Sequence, residues 1–122
     1  MTPVLVSLAG SLGAASRFVL DGHIRAKYNH SFPWATFIIN VTGSFLLGLL
    51  SGLLLKYKGL ASIDAIVGIG FCGGYTTFST ASFETVRLLE RRKYTAAIGN
   101  AFGGLLVTVA ATALGIVAGQ LL

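Results

Sequence analysis

Between Gly70 and Glu84 the sequence sets glycines beside five hydroxyl side chains, Thr76, Thr77, Ser79, Thr80 and Ser82, in the middle of a long apolar run. In a second apolar run Thr36, Asn40 and Ser44 recur every four residues, which puts them on one face of a helix. These side chains donate and accept hydrogen bonds without titrating. Hydrocarbon supplies no such bonds, so a polar, helix-breaking patch at membrane depth survives only inside protein or beside a watery cavity. The chemistry is that of an ion or substrate site held between helices. No nucleophile–base pair or metal cluster is visible, and Cys72 is the one cysteine, so neither an enzyme nor an intramolecular disulfide is expected.

The elements that must position these groups follow from composition. The chain has 122 residues, 54% hydrophobic and 11% charged. A water-soluble domain carries roughly 25% charged residues, whereas this chain holds enough apolar sequence for roughly four spans of about 20 residues. The expected fold is an all-α membrane protein, one domain over 1–122, with spans at about 3–20, 34–55, 63–87 and 94–121, the third interrupted near its middle. Its net charge of +5 falls between apolar runs and does not suggest nucleic-acid binding.

In chain order, Ser7, Gly10, Ser11, Gly13, Ala14 and Ser16 make the first span suited to close packing, and Arg17 stands at its far end. Arg17 either snorkels and orients the helix or structures and attracts anions at a vestibule. A polar link, 21–31, carries His23 and His30, which read as solvated loop residues. Asn40 is either an interhelical hydrogen-bonding group or a donor lining a pathway. Gly48/Gly52, Gly99/Gly103 and Gly115/Gly119 are pairs for close helix approach, and Asn100, Gly104 and Thr108 share a face of the last span. Gly68, Gly70 and Gly73 spell a dinucleotide-type glycine pattern, but no strand precedes it.

Four spans place both termini on one side. Links 21–31 and 87–93 hold six Lys or Arg residues against Lys56 and Lys58 on the terminal side, which predicts cytoplasmic links and external termini in a cell membrane. Four short helices leave little room for a pathway, so an oligomer is expected.

Gly70-Phe-Cys-Gly-Gly-Tyr-Thr-Thr-Phe-Ser-Thr, the Pro33–Gly48 segment with Thr36, Asn40, Gly43 and Ser44, and Gly13-Ala-x-x-Arg17 together resemble the fluoride channel family Fluc, also called CrcB. The resemblance covers nearly the whole chain. It implies an antiparallel, dual-topology dimer that passively exports fluoride from the cytoplasm, with a structural sodium ion at the dimer centre. Main-chain carbonyls at Gly73 and Thr76 match the sodium ligands. Thr36, Asn40, Phe78, Ser79, Thr80 and Thr108 match pathway positions, and Arg17 matches the first-span arginine. Fluoride is strongly hydrated, so donors must replace its water, and the positive edge of a phenyl ring holds an anion without trapping it.

The sequence departs from the family pattern at Ala81, where a second phenylalanine is usual, and at Asn100 and Gly104, in place of tyrosine and serine. With the charge bias, this gives a slight lean to a paired homologue as the inverted partner. A small multidrug-type transporter is the alternative, though such transporters need a carboxylate at membrane depth, and Asp21, Asp64, Glu84 and Glu90 sit at or near span ends. A non-conducting partner subunit is the other.

Overall fold

The computed structural model describes residues 1–27, 32–57, 59 and 61–122. Helix α1 spans Thr2–Lys27 and α2 spans Trp34–Lys56. Helix α3 covers 61–75, most of it, Asp64–Cys72, in the wider π form. Helix α4 is Phe78–Glu90, and α5 is Tyr94–Leu121 with a π segment at Gly99–Gly103. Three of these, α1, α2 and α5, are long and apolar enough to cross a membrane. The remaining run, 61–90, is broken at Thr76 and Thr77.

The first helix does not stop where polarity begins. Residues expected in the 21–31 link stay helical to Lys27, because Ile24 is buried on the helix and Arg25 pairs with Asp21 one turn back, Nε to Oδ1 at 2.8 Å. His23 is therefore an exposed helical residue rather than a loop residue. His30 and Lys58 lie outside the described residues.

Two glycine seams hold the bundle together. At Gly48 and Gly52 an added Cβ would strike the carbonyls of Thr112 and Ile116; at Gly115 and Gly119 it would strike those of Phe45 and Leu49. Helices α2 and α5 thus touch backbone to backbone, as small residues permit. Helix α1 crosses α3 in the same way. A Cβ at Gly13 would meet the Phe71 carbonyl, and one at Gly74 would meet the Gly10 carbonyl. Among the described residues of the subunit, Gly99/Gly103 make no such approach: Gly103 has nothing within 4 Å, and Gly99 meets only the Phe32 ring at 3.8 Å. That part of α5 leans on α4 through a side chain, Asn100.

Helix α4 ends in a turn with Arg92 at φ 60°, the Arg92 N–H donating to the Leu89 carbonyl and the Lys93 N–H to that of Leu88. The outer surface is apolar almost throughout, with Phe18, Ile69, Phe78 and Leu106 among the most exposed side chains, while Ile39 is the largest one fully buried. Such a surface suits lipid and protein rather than water.

Candidate functional site

The break between α3 and α4 is built by side chains that capture helix donors. Thr76 and Thr77 are both extended, at φ/ψ −81/159° and −149/122°. Asn40 Nδ2 donates to the Thr77 carbonyl at 2.8 Å, and the Thr77 N–H donates to Asn40 Oδ1 at 2.8 Å. The Thr77 hydroxyl then caps α4 by accepting from the Thr80 N–H at 3.1 Å.

In an unbroken helix the Thr77 N–H would serve the Gly73 carbonyl and the Thr80 N–H the Thr76 carbonyl. Both donors are diverted, so the two captures release the oxygens of Gly73 and Thr76. Gly73 is exposed, and a Cβ there would meet nothing within 4 Å. Freed carbonyl oxygens are hard ligands suited to a hard cation. Among the described residues no group of three or more His, Cys, Asp or Glu is placed to hold a metal.

Arg17 reaches the end of α3, Nε donating to the Gly74 carbonyl at 3.5 Å. There its charge faces the negative end of the helix dipole. Tyr75 and Thr42 join their hydroxyls at 3.0 Å, and the Thr76 hydroxyl donates to the Cys72 carbonyl at 2.9 Å. Gly43 makes room for this corner, since a Cβ there would strike the Thr76 methyl group.

Beside the break lies an open groove of about 850 Å³ between α2, α3, α4 and α5. Thr36, Asn40, Phe78 and Thr108 line it, as do Gly73 and Thr76. Ser44 lines it with Thr36 and Asn40, on the face their spacing indicated. Ser79, Thr80 and Arg17 are not among its lining residues; Ser79 is exposed at the start of α4 and Thr80 is half-buried. Phe78 is 86% exposed in the chain.

Asn40 keeps one N–H after bonding Thr77, because its amide carries two donors. On the opposite wall, Asn100 is 7% exposed and gives Nδ2 to the Ala81 carbonyl at 3.2 Å and to Thr85 Oγ1 at 2.7 Å. Thr108 donates to the Leu105 carbonyl at 3.0 Å. Further along α4, Glu84 Oε2 receives Arg25 Nη2 at 2.8 Å, tying α4 to α1. Glu84 Oε1 is buried without a hydrogen-bond partner among the described residues.

Sequence reasoning did not single out Thr42, Tyr75, Thr85 or the Arg25–Glu84 pair. Thr85 carried a usable signal, lying four residues beyond Ala81 and so stacked over it on a helix. The other partners are distant in sequence and carried none.

Fold and site together define a multi-pass helical membrane protein with a mostly apolar groove, carrying a few hydroxyl and amide groups, beside a helix break. Residues 4–116 match the family described as CrcB-like protein, Camphor Resistance (CrcB), and the chain belongs to that family. It is 48% identical over 124 residues to the fluoride-specific ion channel FluC 1 of Leifsonia xyli subsp. xyli, covering 99% of this chain and 90% of that one. It is 42% identical over 120 residues to FluC 2 of Cutibacterium acnes, covering 94% and 98%. FluC 1 of Thermobifida fusca is 42% identical over 118 residues, covering 97% and 95%.

Proposed function

We propose that this chain is a subunit of a fluoride-specific ion channel, not an enzyme, that lets fluoride leave the cytoplasm passively and so lowers its toxicity. The family membership and the near full-length similarity to fluoride-specific channels support the reading. The observation that carries it is the Asn40–Thr77 clasp, which holds a break open beside the exposed Phe78 and leaves an amide N–H on the groove. Neutral donors and a ring edge replace the water of a small anion without a fixed cation to trap it.

In this reading α3 and α4 are the two halves of one interrupted crossing, so the chain crosses four times as a single domain. Ser79 and Thr80, at the start of α4, supply hydroxyls to the path beyond the groove, and Thr36 supplies one within it, where Thr108 lines the path with its proton held on the Leu105 carbonyl. Arg17 draws anions toward the mouth while its Nε holds the end of α3. A structural sodium ion is held by the carbonyls of Gly73 and Thr76, whose helical donors are diverted. It supplies positive potential that offsets repulsion of the anion.

The second subunit is inverted, and Gly73 and Phe78 face it. Six basic residues against two on the connecting links favour cytoplasmic 21–31 and 87–93 links and external termini. That imbalance, with Ala81 in place of an aromatic ring, favours a paired homologue over a second copy. The test is fluoride efflux from liposomes holding this protein alone, with chloride as control. Rapid fluoride-selective efflux confirms the channel and shows that one chain suffices. Efflux only after co-reconstitution with a homologue confirms the paired subunit. Proton-coupled flux of an organic cation instead would replace the reading with a small multidrug-type transporter.

A further inference from the structure

The α5 wall of the groove has its hydrogen-bond donors spent. Thr85 Oγ1 donates its only proton to the Ala81 carbonyl at 2.9 Å, so toward Asn100 it acts as an acceptor. The Ala81 carbonyl is an acceptor too. Only the NH2 end of Asn100 satisfies both, and it faces both, at 3.2 and 2.7 Å. What Asn100 keeps is a carbonyl oxygen, and an acceptor does not solvate an anion. Gly104 has no side chain, and the Thr108 proton is on the Leu105 carbonyl.

From this geometry we infer that Asn100 is a positioning residue: with Thr85 and the Ala81 carbonyl it braces α4 against α5, and it does not itself donate to the passing anion. The inference rests on the channel reading above and assigns Asn100 a place within it. The brace sits three residues past Phe78, so loss of the triad lets the start of α4, with Phe78, Ser79 and Thr80, swing relative to the Asn40 side of the groove. The small side chain at 81 belongs to the same arrangement, because it leaves the carbonyl open to a second donor from α5.

The test is fluoride efflux from liposomes containing the reconstituted channel, with its partner if one is required. The variants are Asn100→Ala, Thr85→Val, Thr85→Ser and the Asn100→Ala/Thr85→Val double. Each of Asn100→Ala and Thr85→Val removes two of the three hydrogen bonds that set the geometry and should slow efflux by about tenfold or more. The double variant should be no slower than the worse single one, because both break one triad. Thr85→Ser keeps the hydroxyl and should stay within about twofold of the parent rate. Multiplicative slowing in the double variant, or an unchanged rate in Asn100→Ala, would overturn the brace. If Asn100→Ala does not fold, the contrast between Thr85→Val and Thr85→Ser decides. If the parent protein carries no fluoride, the channel reading fails by itself. The brace is then judged by melting temperatures, where additive shifts from the two substitutions overturn it and non-additive ones support it.

Discussion

Asn40 and Thr77 exchange two hydrogen bonds, each 2.8 Å, between one carboxamide and one main-chain unit. A side chain thus does for Thr77 what a neighbouring strand or helical turn would otherwise do. It converts two helix-breaking residues into a fixed corner.

Replacing Asn40 by Leu should therefore do more than remove a polar group from the groove. It leaves the Thr77 N–H and carbonyl without their partners in a part-buried setting, at up to about 1–3 kcal/mol for each orphaned group. The expected result is a lowered melting temperature in detergent together with lost fluoride efflux. Asn40→Asp retains an acceptor for the N–H and should fall between the two.

Phe78→Ile should separate conduction from folding. The ring is 86% exposed in the chain, so its loss should change subunit stability by less than about 0.5 kcal/mol. Efflux measured with a fluoride electrode should drop sharply while size-exclusion profiles stay unchanged. Parent-like efflux would show that the ring does not line the path.

The glycine seams give a paired contrast. Gly48→Ala forces α2 and α5 apart against the Thr112 carbonyl and should cost about 1–3 kcal/mol. Gly103→Ala meets nothing within 4 Å in the chain and should leave the melting temperature of the subunit unchanged. Thermal unfolding of the two variants side by side checks the assignment.

Arg25→Ala should be more harmful than Glu84→Gln. The Glu84 side chain is 13% exposed and Arg25 51%, so removing the arginine leaves a mostly enclosed carboxylate without its partner. Half-exposure of Arg25 moderates the pair, and a loss of about 1–2 kcal/mol is expected for Arg25→Ala. Glu84→Gln keeps a neutral side chain and should lose less. Ranking by melting temperature at neutral pH decides.

Replacing sodium by a large organic cation tests the freed carbonyls. If Gly73 and Thr76 hold sodium, its removal should lower efflux and thermal stability together. Readdition should restore both, whereas independence of sodium would leave those two oxygens without the assigned role.

The helices and the break were legible in the sequence because they depend on local signals. Apolar runs, Pro33 and the glycine–hydroxyl cluster at 70–82 each act within a few residues. Asn40 stood out because an amide in an apolar helix needs a partner, yet that partner is 37 residues away and nothing local points to Thr77. The far end of α1 was misread for the same reason: polar residues at 21–27 look like a loop until Arg25 is seen bonded to both Asp21 and Glu84. The Gly99/Gly103 pair makes no close approach within the subunit. A small-residue spacing permits close approach but does not require it, and a buried Asn100 settled how α5 meets α4.

The two halves of the interrupted run are fastened by different means. Helix α3 is laid against α1 at Gly13, Gly70 and Gly74, where main chain meets main chain and any added methyl collides. Helix α4 hangs from three side-chain hooks, Asn40, Asn100 and Arg25. Point mutation can therefore retune the tilt of the second half hook by hook, while in the first half such changes reach only the end of α3, at Arg17 and Thr42, and the rest yields only by prising two helices apart.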